Sequence, residues 1–199
     1  MTRIQREIDG RLICADVNPD QELIVRTVFF KLQEIARRDP LRAGMRIRFG
    51  WTLFTLEADG DALVVCEPDF DGDPLTATRP SIATSLDVIA KQAAFARAQG
   101  VVPVDVTFDQ VVIARRGAIT SPDIQAFRED PDPPDDSGWS ISLAGTSKAS
   151  DDPDDYETIP TYRLFSLRPT LLPGLVLPPG YGLFLEGNRI SQVLSPPEV

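Results

Sequence analysis

The alternation of apolar and polar positions changes period several times along the chain, and each change marks an element. In NPDQELIVRTVFFKLQEIARRDP, Ile24, Val28, Leu32 and Ile35 recur at helical spacing, which predicts an amphipathic helix with a core-facing stripe. Asn18 supplies the N-cap, Pro19 suits the first helical position, Gln21 can close a capping box, and Asp39-Pro40 ends the helix. From Met45 the period falls to two. Met45, Ile47 and Phe49 alternate with Arg46 and Arg48, predicting a half-buried strand that runs on through Trp51 to Leu56. ADGD provides turn chemistry, and Ala62 to Cys66 reads as the returning strand of a hairpin. A second helix is expected over Thr84 to Gln99, with Leu86, Ile89, Ala90 and Ala93 on one face and Gly100 in the left-handed C-terminal position.

Beyond Val101 the texture becomes β-branched. Val111 to Ala114, DIQAFRED and GWSISLAG each read as strands, with Arg115-Arg116-Gly117 as a turn. The Pro- and Gly-rich tail is expected to form short strands and turns, Gly182 to Glu186 and Arg189 to Val193 among them. A boundary near 101–108 gives residues 1–105 and residues 106–199. The expected class is α+β: two small α+β halves with antiparallel sheets, both main helices lying in the N-terminal half.

Charge changes this picture more than composition does. The 199 residues carry 20 Lys+Arg against 30 Asp+Glu, a net charge of −10. Residues 129–157 hold ten of the acids and one base, Lys148, so a nearly neutral protein bears one intensely acidic region. Nucleic acid is therefore an unfavourable partner for that region, since phosphate binding requires positive charge. There is no histidine, which removes Ser-His and Cys-His nucleophile pairs and the usual zinc ligand. Cys14 and Cys66 are two widely separated thiols, read as buried residues in a reducing cytoplasm. The opening stretch lacks the apolar core of a secretory signal, and no apolar run approaches the ~20 residues needed to span a bilayer. A cytoplasmic protein without membrane contact is expected. Asp69 to Asp73 (DFDGD) resembles the start of a calcium loop, but Pro74 stands where that motif wants glycine and Pro80 where it wants glutamate, so no metal or other cofactor is expected.

The candidate surface lies in the acidic region. Glu129, Asp130, Asp132, Asp135 and Asp136 form one run, stiffened by prolines 131, 133 and 134, and Asp151, Asp152, Asp154, Asp155 and Tyr156 form the second. Each run is either a solvated loop or a charged projection that engages a basic cleft as a phosphate mimic. Trp139 is either a buried anchor for the first loop or an exposed hot spot. Asp136-Ser137 cannot belong to a Ser-His-Asp triad and reads as an Asx- or ST-type turn.

The order of three blocks carries a resemblance. Arg128-Glu129 with the acidic spacer and DSGW (136–139), the acidic segment ending in Tyr156, and LLPGLVLPPGYGLFLE (171–186) together resemble an immunity-protein-like domain of bacterial polymorphic toxin and type VI secretion loci. The match covers about residues 109–187, and the half before it resembles an N-terminal extension carried by some members. SISLAGTSKASDD stands where that family usually has a more polar, Gly-Asp-Glu-like stretch. The resemblance implies a non-catalytic cytoplasmic antidote that binds a cognate toxin and blocks it, with the acidic residues and Trp139 as its partner contacts. Two other classes stay open on the residues alone: an adaptor or chaperone-like module for a secreted effector, and a carboxylate-based hydrolase, which would need paired acids in a cleft.

Overall fold

The computed structural model describes residues 1–131, 135–146 and 150–196. The chain is α+β and divides into two compact units, Met1–Ala90 and Lys91–Val199.

The first unit is a sheet packed on one helix. Strands β1 (Thr2–Ile8) and β2 (Arg11–Val17) form a hairpin across Asp9-Gly10, both in the left-handed region (φ 51° and 71°), the geometry of a tight two-residue turn. Helix α1 (Glu22–Ala36) follows a 3₁₀ turn at Pro19–Gln21, where the Asn18/Gln21 capping box is formed. It buries Val25, Val28, Phe29 and Leu32, while Ile24 and Ile35 are half-buried at the margins of the stripe. Strands β3 (Arg46–Phe49), β4 (Thr52–Asp59) and β5 (Ala62–Pro68) complete the sheet in the order β1-β2-β5-β4-β3, with the short β6 (Thr78–Arg79) on β5. The strand expected to continue through Trp51 is broken there. Gly50 takes φ 53°, and the chain reverses into β4 as a second tight hairpin.

One buried carboxylate organises the start of helix α2 (Ala83–Gln99). Glu67 is fully buried, and its two oxygens accept from the backbone N–H of Ser85 (2.6 Å) and Thr84 (3.3 Å) and from Arg79 Nε (2.9 Å). Orphan donors at the helix start and an arginine thus compensate a charge that could not otherwise be buried. The inward line of α2 includes Ser85, Leu86, Val88, Gln92 and Ala96, and Ala90 and Ala93, expected on the buried face, are exposed. Gly100 closes the helix at φ 68°.

The DFDGD loop uses its carboxylates internally. Asp69 accepts from the N–H of Asp71, Asp73 from the N–H of Leu75 and the hydroxyl of Thr76, and Asp71 pairs with Arg79 at 2.6 Å.

The second unit is built on strands β7 (Val111–Arg115), β8 (Asp123–Arg128), β9 (Asp136–Leu143), β10 (Tyr156–Pro160), β11 (Gly182–Glu186) and β12 (Arg189–Leu194). Their order is β10-β7-β9-β8-β11-β12. Each sheet is antiparallel except for one pair, β2–β5 in the first and β7–β9 in the second. One face of the second sheet carries Val112, Ala114, Ile124, Ala126, Trp139, Ile141, Leu183 and Leu185, all buried. Against it packs the segment 161–176, a succession of 3₁₀ turns around the single-turn helix α3 (Leu164–Leu167). Gly174 is required at the contact, because a Cβ there would lie 2.5 Å from a methyl of Leu183.

Cys14 and Cys66 are buried free thiols on neighbouring strands, and burial, reinforced by Glu57, pushes the Cys66 thiol up to about 12. In peptide-resolved alkylation at pH 8, Cys66 should therefore react at least ~100-fold more slowly in the folded protein than in urea.

Candidate functional site

The first and third of the three blocks meet at a single backbone carbonyl, that of Leu175. Arg128 falls on the inward phase of β8 (Ile124, Ala126, Arg128) and is 3% exposed. Its Nη1 donates to the carbonyls of Val104 (2.9 Å), Leu175 (3.0 Å) and Leu177 (2.6 Å), and its Nε to that of Ser137 (3.2 Å). Trp139, 1% exposed, donates its Nε1 to the same Leu175 carbonyl at 2.9 Å. Burial lowers the Arg128 pKa to about 10, opposed by nearby Asp105, so the guanidinium is still charged at neutral pH and its charge is met by oxygen dipoles. Main-chain bonds tighten the same point: Arg128 N–H donates to Tyr181 O (2.9 Å) and Gly180 N–H to Arg128 O (2.7 Å).

DSGW is the corner that lets this arrangement close. Asp136 Oδ1 accepts from Gly138 N–H (2.9 Å) and Ser137 Oγ from Trp139 N–H (3.3 Å), an Asx turn and an ST turn in succession. Ser137 Oγ in turn donates to Val111 O at 2.6 Å, across the irregular register where β9 meets β7. Gly138 has φ 77°, and a Cβ would stand 2.2 Å from the carbonyl oxygen of Glu129. No other residue fits there. A second buried arginine, Arg168, staples the far end of the unit by donating to the carbonyls of Ser121 (2.8 Å), Pro122 (2.7 Å) and Gly187 (2.6 Å).

The acidic residues divide into those the fold employs and those it leaves to solvent. Glu129, Asp130 and Asp135 are exposed, Asp136 is half-buried in its turn, and Asp132 lies outside the described residues. In the second run Asp151, Asp152 and Asp154 are exposed, while Asp155 and Tyr156 are half-buried. Asp152 caps a 3₁₀ turn by accepting from Asp154 N–H (2.9 Å), and the Tyr156 hydroxyl accepts from Ser150 N–H (2.8 Å) to close the loop. Arg116 fastens the run to the end of β7 through the carbonyls of Asp154 and Asp155. Trp139 presents nothing to solvent; its ring belongs to the core.

Topology sets the two runs apart. The first joins β8 to the start of β9, beside Val111 at the start of β7; the second leads from β9 into Tyr156, opposite Arg115 at the end of β7. Along the eight residues of β9 the ends are about 20 Å apart. Among the described residues the two runs bring no pair of carboxylates together in the cleft that a hydrolase would need. Among the described residues no group of three Asp, Glu or Cys is placed to hold a metal ion.

The Imm33-like domain family model matches residues 91–196, just over half of the chain, and the chain belongs to that family. Searches of curated proteins and of solved structures return no match.

Two stability predictions test the architectural role. Arg128→Met takes a donor from four carbonyls, of which only that of Leu175 keeps the Trp139 indole, and should cost on the order of 3 kcal/mol or more in urea unfolding, whereas Trp139→Phe, which deletes one hydrogen bond and little ring volume, should cost about 1–2 kcal/mol. Gly138→Ala, forced against the Glu129 carbonyl at positive φ, should cost at least ~2 kcal/mol by the same measurement.

Proposed function

We propose that this chain is a cytoplasmic immunity protein that binds a cognate bacterial toxin directly and blocks its active site. Membership of the Imm33-like family supports an immunity role, and the placement of the charge supports the manner of binding. Glu129, Asp130 and Asp135 stand exposed, committed to no ion pair among the described residues. Acids held out in this way speed association with a cationic cleft and occupy a path meant for anionic substrate. The runs Glu129–Asp136 and Asp151–Tyr156 are the charged contacts, and the first contributes more, because Arg115 and Arg116 sit beside the second and offset its field.

Co-expression with the toxin encoded beside this gene is the test. Cells survive if the proposal is right; toxin killing that persists at full expression of this protein contradicts it. In stopped-flow binding, the Glu129→Gln/Asp130→Asn/Asp135→Asn variant should associate about 10-fold more slowly than wild type and with a shallower salt dependence. Neutralising Asp151, Asp152 and Asp154 should have the smaller effect, and unchanged kinetics in both variants would reduce the loops to solvent-facing connections.

A further inference from the structure

The second sheet has one covered face and one open face, and the middle row of the open face is unusual for a surface in what it lacks. Cross-strand register aligns one residue from each strand in a row running Thr158, Ile113, Ser140, Phe127, Gly182 and Leu194. None is charged. Ile113 and Phe127 are 40% and 37% exposed at its centre, in a protein with 25% charged residues. An exposed sheet face ordinarily alternates polar and charged side chains outward, so an uncharged aromatic and aliphatic centre is the composition of an interface core.

The aromatic group is also held in place. The Phe127 ring lies over Gly182 of the neighbouring strand, where a Cβ would come within 2.7 Å of two ring carbons. Its other side meets Phe184 edge to face, with centroids 6.2 Å apart and planes at 88°. Glycine on the adjacent strand makes room for a ring that would otherwise turn freely, so little conformational entropy remains to be lost when a partner arrives.

Charge gathers at the two ends of this face. Asp136 pairs with Val111 in the row before Ile113, at the foot of the first acidic run; beyond Ile113, Arg115 pairs with Tyr156 at the foot of the second, so that end carries both signs. The two runs that topology sets apart are therefore the two rims of one surface.

We infer that this open face, centred on Ile113 and Phe127, is the docking surface for the toxin, and that the toxin presents an uncharged contact flanked by Lys and Arg where it meets the first acidic run. The inference rests on the immunity reading and deepens it by moving the binding energy from the loops to the sheet between them. A hydrophobic centre with a charged rim divides the labour in the usual way, affinity from the centre and association rate from the rim. Nucleic acid is repelled by the first acidic run.

The test is calorimetric titration of the full-length protein with the toxin encoded by the neighbouring gene, alongside analytical ultracentrifugation of the protein alone. Ile113→Lys and Ser140→Lys each place a cation at the exposed centre and should weaken binding at least ~30-fold, with Ile113→Val within about 3-fold of wild type. Both lysine variants should keep the wild-type thermal midpoint, which separates lost binding from lost folding. If either folds and binds as wild type does, the face is not the docking surface, while the immunity reading stands on the loops. If wild type does not bind the toxin, the immunity reading fails and this inference fails with it. If wild type is a dimer that Ile113→Lys dissociates without changing toxin affinity, the occupant is a second copy and the inference is overturned.

Discussion

The C-terminal unit depends on one carbonyl oxygen. Leu175 O receives both the Arg128 guanidinium and the Trp139 indole, and through them strand β8, strand β9 and the 3₁₀ segment over the sheet are fixed to one point. A guanidinium is suited to this role because its planar array of donors reaches carbonyls from several segments at once, which a lysine ammonium cannot do from one rigid position. The cost of burying a charge is met by four oxygen dipoles rather than by a carboxylate. Arg168 repeats the device at the other end. A sheet whose covering layer is mostly 3₁₀ turns lacks the regular packing of a long helix, and these two arginines supply the fixed points instead.

This economy separates motif from function. Residues that stand out in the sequence (Arg128, Ser137, Gly138, Trp139 and the Leu/Pro/Gly run of 171–180) are occupied in holding the unit together. Family membership over 91–196 accordingly reports a scaffold. What the scaffold leaves outside, the row around Ile113 and Phe127 and the exposed acids, is where substitution costs little stability.

Much of the architecture was legible because periodicity and turn chemistry agreed. Helix α1, the β4–β5 hairpin and strands β7, β8, β9, β11 and β12 all follow from alternation bounded by Gly, Pro or Asp. Strands β1, β2 and β10 were not predicted. Of these, β1 and β10 are edge strands, β10 burying Ile159 alone inside an acidic run. Strand β2 is an interior strand that buries Ile13, Cys14, Ala15 and Val17, so an edge position does not account for it. The break at Gly50 was hidden by apolar neighbours on both sides, and only its positive φ makes the hairpin. The 3₁₀ layer was obscured by Pro169, Pro173 and Gly174, which read as punctuation.

Of the site, the turn formed by Asp136-Ser137 was legible, and so was the option that Trp139 is an anchor. Arg128 stood out only as part of the resemblance and was assigned no role, although the signal for one was present: it keeps the inward phase of Ile124 and Ala126, and an arginine in phase with a core stripe marks a buried staple. The open face could not be read from sequence, because it exists only once register brings Thr158, Ile113, Ser140 and Phe127 from four strands into one row. Side-chain footprinting of the protein with and without the toxin from the neighbouring gene tests this division most directly. Protection of Ile113, Phe127 and Phe184 in the complex, with Trp139 unreactive in both states, is the predicted result; rings that stay as reactive in the complex as in the free protein would contradict it.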